Sequence, residues 1–219
     1  LANNLNDINR FLKLNKQSRK KNLIDLNFIS IFLIIKFKKI INKININNTK
    51  IKIQVKWNFK PLSRNIKNSW KNNNNKLGGE INNFFFHLIS ILYFIFRVNK
   101  IKFLKKENNI YHFELHIKNN KINVIFDPVN NKNLMSISLR NKKYVYNLEN
   151  KSKDYHNNFV IKKNNNIIFK KNAPKNKSRM HASKKILNLF NENDSEINKF
   201  ASFEFGLMLQ REIIKLNVA

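Results

Sequence analysis

From Tyr111 to Asp127 the chain reads YHFELHIKNNKINVIFD, with apolar residues on every second position. Phe113, Leu115 and Ile117 alternate with His112, Glu114, His116 and Lys118, and Ile122, Val124 and Phe126 resume the period after a polar break. A period of two belongs to a strand with one buried and one wet face, so this stretch predicts a hairpin and requires a sheet to carry it. Asn119-Asn120 is read as the two-residue turn, because Asn tolerates the positive φ that a type I′ turn demands. A second strand is predicted at residues 51–59. There Ile51, Ile53, Val55, Trp57 and Phe59 alternate with Lys52, Gln54, Lys56 and Asn58, giving one apolar face and one lysine-amide face able to touch phosphate. Pro61 ends it.

The sheet belongs to a chain with 43 Lys and Arg against 13 Asp and Glu, a formal charge of +30. With 219 residues and 42% hydrophobic content the chain can build a core, so it is not a disordered polycation. Such charge calls for a polyanionic partner, nucleic acid first and an anionic membrane second. The absence of cysteine removes disulfides, Cys-based zinc sites and thiol catalysis. Asn (44) and Lys (36) dominate, whereas Arg (7), Gly (3) and Pro (3) are scarce. The favoured residues have codons built from A and T, which implies an AT-rich genome of the kind found in organelles. No cleavable presequence is legible and the first residue is Leu, so the expected location is the mitochondrial matrix, with synthesis inside the organelle.

Composition divides the chain into four parts. Residues 1–25 are expected to be a basic extension that orders only on a partner. Residues 26–63 hold an apolar helix and the lysine-faced hairpin region, and the Asn-rich stretch 64–80, with Gly78-Gly79, is a linker. Residues 81–219 form the main domain. Within it Phe84–Phe96 is the most apolar run; as a helix it covers about 20 Å, short of a bilayer's ~30 Å, so a buried helix is expected rather than a span. A meander follows at 110–118, 121–127 and 134–140, with a possible fourth strand through Tyr144–Tyr146. Residues 141–185 read as a long basic loop. Ile186, Leu187, Leu189 and Phe190 mark a short helix, and Ser195–Lys215 a longer one whose Phe200, Ala201, Phe205, Met208 and Leu209 should bury against the sheet. The expected class is α+β: an antiparallel meander sheet packed by C-terminal helices, with basic extensions and a long lysine-rich loop.

No catalytic set is legible. Glu192, Asp194 and Glu196 suit the positive end of a helix dipole, and His112, Glu114 and His116 read as the wet face of a strand, without a nucleophile or metal set beside them. His87 is read as a core histidine. There is no G-x-x-x-x-G-K-[ST] motif. The chain is therefore expected to be no enzyme, with no cofactor, no metal and no small-molecule substrate. Nucleic-acid contacts are assigned to Lys118, Asn119, Asn120, Lys121 and Arg140. The assignment continues along the basic loop through Lys142, Lys143, Lys151, Lys153, Lys162, Lys163, Lys170, Lys171, Lys175, Lys177, Arg179, Lys184 and Lys185.

This combination, basic throughout with a small core and lysine-rich extensions, resembles a ribosomal protein encoded in the mitochondrial genome of a ciliate-like protist. HIKNNKINVIFD followed by NNKNLMSIS resembles the opening strands of the small-subunit platform ribosomal protein, the universal S11 family, with Asn119, Asn120, Ile122 and Asp127 at matching positions. KFASFEFGLMLQREIIKLNV resembles that family's first helix. The large-subunit family that binds 5S ribosomal RNA opens with a similar meander. The resemblance implies a structural constituent of a mitochondrial ribosome, partnered by ribosomal RNA and neighbouring ribosomal proteins. The alternative is an accessory subunit of an inner-membrane respiratory complex with residues 84–96 in the bilayer.

Overall fold

In a computed structural model of the chain, the residues described are 5–17, 22, 24, 26–44, 52–58, 81–128, 130, 132–152, 156–171, 178–192 and 194–216. The strands are β1 (Lys52–Asn58), β2 (Lys100–Glu107), β3 (Ile110–Ile117), β4 (Asn120–Asp127), β5 (Leu134–Arg140), β6 (Val145–Asn150), β7 (Val160–Lys163) and β8 (Asn166–Lys170). The helices are α1 (Leu5–Gln17), α2 (Phe32–Lys43), α3 (Phe86–Phe96), α4 (Ser178–Asn191), α5 (Ser195–Phe200) and α6 (Phe203–Lys215). The class is α+β.

The hairpin expected from the period of two is β3 and β4, but its turn lies one residue earlier. Ile117 pairs with Asn120, so the turn residues are Lys118 and Asn119, and Lys118 takes the positive φ, 41°. Asn120 is instead buried as the first residue of β4. The left-handed Asn pairs occur elsewhere, at Asn108-Asn109 (φ 49° and 61°) and Asn164-Asn165 (48° and 69°), joining β2 to β3 and β7 to β8. Positive φ at both central residues is what a type I′ turn needs, and it matches the twist of the strands it joins.

All eight strands form one mixed sheet in the order β2-β3-β4-β1-β5-β6-β7-β8. The expected meander is corrected here: β5 does not pair with β4, because β1 is inserted between them, parallel to β4 and antiparallel to β5. Its apolar alternation explains the position. Ile53, Val55 and Trp57 are each 2% exposed or less, aligned with Ile122, Val124 and Phe126 on one side and Leu139, Ile137 and Met135 on the other. A strand with that much apolar surface is stable only where both its edges and one face are covered.

The buried face rests first on α2 and α3, not on the C-terminal helices. Phe85, just before α3, stacks on Phe113 with ring centroids 4.0 Å apart and meets Phe126 edge-on, while Phe28 and Phe126 flank Trp57. Leu88 to Phe96 are buried without interruption, because α3 is a middle layer. Its far side meets the C-terminal helices through Phe94–Phe200 (5.5 Å) and Tyr93–Phe205 (6.0 Å). That explains an apolar run with no polar face. Arg97, left-handed at φ 54°, ends the helix.

Two expectations about basic segments also change. Residues 5–17 of the supposed extension form a helix whose Ile8, fully buried, packs with Leu207 of α6. The supposed loop 141–185 contains three strands and most of α4. Its short apolar pieces carry them: Leu148, Phe159 and Ile161 are each 1% exposed or less. The segments on either side of 64–80 contribute to one sheet, and 64–80 itself lies outside the described residues.

Candidate functional site

The period of two that buries one face of the sheet places polar side chains on the other. Hydrogen-bonded registers align Lys102, Glu114, Asn123, Gln54, Ser138, Asn147 and Lys162 in one row across seven strands. A second row runs Lys105, His112, Ile125, Lys56, Ser136, Glu149, Val160 and Lys170. Each of these residues is exposed or half-buried. Seven strand spacings make this face about 34 Å wide.

Within these two rows the carboxylates are Glu114 and Glu149, about 19 Å apart by four strand spacings. Glu114 Oε1 lies 2.8 Å from His116 Nε2, and its Oε2 lies 3.1 Å from Lys121 Nζ. The Lys121 ammonium, then His116, hold the Glu114 carboxyl below the usual carboxylate range against some opposing desolvation. Glu149 Oε2 accepts from Lys162 Nζ at 2.8 Å, with Lys151 Nζ at 3.9 Å. At the β2 edge of the same face Glu107 Oε1 lies 2.7 Å from Lys105 Nζ, so these three acids are matched within the face. Lys52, Lys56, Lys100, Lys102 and Arg140 have no carboxylate partner among the described residues, and the face carries excess positive charge. His112, Glu114 and His116 do share a strand face, yet no group of three metal-ligating side chains occurs among the described residues.

The residues assigned to nucleic acid do not form one track. Lys121 and Lys162 lie on the open face in the ion pairs above. Lys118 and Asn119 make the β3–β4 turn, Asn120 is buried, and Arg140, Lys142 and Lys143 cluster at the β5–β6 connection, with Lys151 just after β6. Lys163 lies over Tyr146 and Tyr144 at 5.7 and 5.8 Å. Lys170 ends β8 and Lys171 follows it, and Arg179, Lys184 and Lys185 are on α4. Lys153, Lys175 and Lys177 lie outside the described residues. Sequence reasoning singled out the lysine-amide face of β1 but missed Ser136, Ser138, Asn147 and Glu149; the alternation MSISL in β5 was the available signal for the two serines.

No family model and no curated protein matches the chain. Solved structures do. The transcriptional regulator Gal80p of Kluyveromyces lactis superposes with a TM-score of 0.77 at 14% identity, covering 99% of this chain and 64% of that one. An aldose-aldose oxidoreductase from Caulobacter crescentus, complexed with glycerol, gives 0.69 at 13% identity over 98% of this chain and 66% of that one. The WlbA dehydrogenase of Thermus thermophilus, complexed with NAD and UDP-GlcNAcA, gives 0.55 at 13% identity over 96% and 58%. The chain therefore spans about two thirds of these proteins' length and shares their fold.

This likeness overturns the ribosomal reading. The chain follows the fold of regulators and oxidoreductases over nearly its whole length, and β1, inserted beside β4, breaks the strand succession on which the S11 resemblance rested. Ribosomal RNA and ribosomal proteins fall as partners with it. The respiratory-subunit alternative falls too, and no helix of the described residues is long and apolar enough to cross a membrane.

One of those structures, the WlbA dehydrogenase, holds NAD. Dinucleotide binding of that kind uses G-x-G-x-x-G between a strand and a helix, so that backbone can approach the pyrophosphate. This sequence has three glycines, Gly78, Gly79 and Gly206, which cannot supply that spacing. Gly206 lies inside α6, and a Cβ there would meet Ile24 Cδ1 at 2.5 Å, so its open side is filled by protein. The residues present do not fit the cofactor.

Proposed function

We propose that this chain is a non-catalytic protein-docking element, built on the fold shared by Gal80-type regulators and oxidoreductases, and that the open face of its sheet takes an acidic protein surface. The observation that carries the reading is the cation excess left after Glu107, Glu114 and Glu149 are matched within the face. A net positive charge over a broad surface steers an oppositely charged partner and repels a second copy of a chain at +30. The size is suitable: strands of about 23 Å across a width of about 34 Å give roughly 800 Å², one partner's share of a standard interface.

Carbodiimide, which joins amines to carboxylates at zero length, tests this on the full chain in its native extract. The expected products join Lys52, Lys56 or Lys102 to acidic residues of another protein. With that protein purified, Lys56→Glu combined with Lys102→Glu should weaken binding about tenfold or more, whereas Lys16→Glu on α1 should not. Equal binding by all variants would overturn the docking face, and hydride transfer from NADH by the isolated chain would overturn the non-catalytic reading.

A further inference from the structure

Away from the open face, three lysines lie around the junction of α2, β8 and α4 with no acid to balance them. Phe32 and Lys36 are one turn apart on α2, and Phe169 and Lys171 lie at the end of β8. Each lysine reaches the other element's ring: Lys36 Nζ sits 4.5 Å from the centroid of Phe169, and Lys171 Nζ 4.5 Å from that of Phe32. The third side is α4. Ser30 Oγ donates to the Ala182 carbonyl at 2.7 Å, which fixes α4 beside the start of α2. One turn on from Ala182 is Lys185, half-buried and near enough to Lys171 to feel its charge. Burial first, and Lys171 second, push the Lys185 ammonium below its ordinary pKa. None of the three lysines has a carboxylate partner among the described residues.

Two phenyl rings lie against the ammonium groups of Lys36 and Lys171 but do not neutralise them. Like charges held together in a partly buried place are destabilising until an anion joins them. We propose that Lys36, Lys171 and Lys185 form a binding site for a phosphoryl group, carried by a phosphomonoester or free as inorganic phosphate. The chemistry favours that class. Three ammonium point charges are balanced more nearly by a phosphoryl dianion with several terminal oxygens than by a singly charged carboxylate. Phe32 remains 45% exposed and offers an apolar shelf for the rest of an ester.

The test uses the full chain, inorganic phosphate and phenyl phosphate as probes, and chloride to hold ionic strength constant. Binding is read from phosphorus NMR line widths. Saturable binding is expected, with phenyl phosphate the tighter ligand. Lys171→Gln and Lys185→Gln should each raise Kd about tenfold, the loss expected for a charge-assisted contact. Lys100→Gln and Lys106→Gln on β2 should leave it unchanged. A second readout needs no variant: in reductively methylated protein, the carbon-13 signals of Lys36, Lys171 and Lys185 should shift together with phosphate. Vesicles of phosphatidic acid then separate a lipid headgroup, which would sediment the protein, from a soluble ester, which would not. Non-saturating binding, identical Kd in all four variants, or methyl shifts spread over the surface would overturn the site.

Discussion

Lys38 Nζ lies 2.7 Å from Glu196 Oε2 and 3.8 Å from the centroid of the Phe94 ring, with its side chain only 4% exposed. This one ammonium ties α2, α3 and α5 together. Burial is the main influence on it and lowers its pKa; the Glu196 hydrogen bond and charge oppose that, Arg97 adds to it, and Asp194 opposes it weakly. Such a pair adds little net stability over an apolar replacement, but it makes the partners depend on each other.

That asymmetry gives the first prediction. Glu196→Gln leaves a buried charge without its counter-ion. Because Glu196 itself is 46% exposed, water relieves part of the penalty, and a loss of about 2 kcal/mol is expected rather than the full ~3–5 kcal/mol of a deeply buried pair. Lys38→Met removes the charge while keeping length and contact with Phe94 and Phe200. It should change stability by less than about 1 kcal/mol. Urea midpoints at unchanged slope decide the matter, and equal losses in the two variants would refute the assignment.

Alkaline unfolding provides the second prediction. The folded pKa of Lys38 is lowered, as is that of Lys185, so below the ordinary lysine value the unfolded chain binds more protons and stability rises with pH. Tyr93 acts in the opposite sense. Burial, helped by the nearby Glu212 charge, raises its phenol from 10.0 to about 12. Between those values the folded chain keeps a proton that the unfolded chain has lost, so stability falls. Relative to Tyr93→Phe, the wild-type protein should lose up to about 2 kcal/mol between pH 10 and pH 12, less where water reaches the phenol. Urea titrations at pH 9, 10, 11 and 12 measure it; a constant difference between the two proteins would contradict the burial of this phenol.

Local periodicity made part of this architecture readable. Ile53, Val55 and Trp57, and Phe113 to Phe126, announce their strands because burial on one face imposes a period of two. The Phe84–Phe96 run announces a buried helix because α3 is covered by the sheet on one side and by Phe200 and Phe205 on the other. The parallel pairing of Val55 with Val124 has no local trace, since it joins residues separated by α3, β2 and β3. β2 was hidden because Ile101 and Phe103 are embedded in lysines that protect a sheet edge. α1 was hidden because Ile8 is its one fully buried residue, with Phe11 and Leu12 only partly covered beside it. For the candidate site, lysine abundance was plain in the sequence. Which lysines are matched depends on Glu114 and Glu149 meeting them across strands, and spacing along the chain does not encode that.

The position of the β3–β4 turn can be tested by glycine. Lys118 occupies φ 41°, where its Cβ crowds the backbone, whereas Asn119 does not share the left-handed conformation and Asn120 is a paired, buried strand residue. A non-glycine residue in that region carries a cost of about 1 kcal/mol or more, partly offset on replacement by the greater freedom of glycine in the unfolded chain. Lys118→Gly should therefore stabilise the protein by about 0.5 kcal/mol. Asn120→Gly should destabilise it by about 1 kcal/mol, through the loss of a strand side chain. A turn at Asn119-Asn120, as the sequence suggested, reverses both signs. Urea unfolding of the two variants separates the registers, and it also bears on the open face, because a one-residue slip of β4 would carry Lys121 away from Glu114 and turn Ile122 outward.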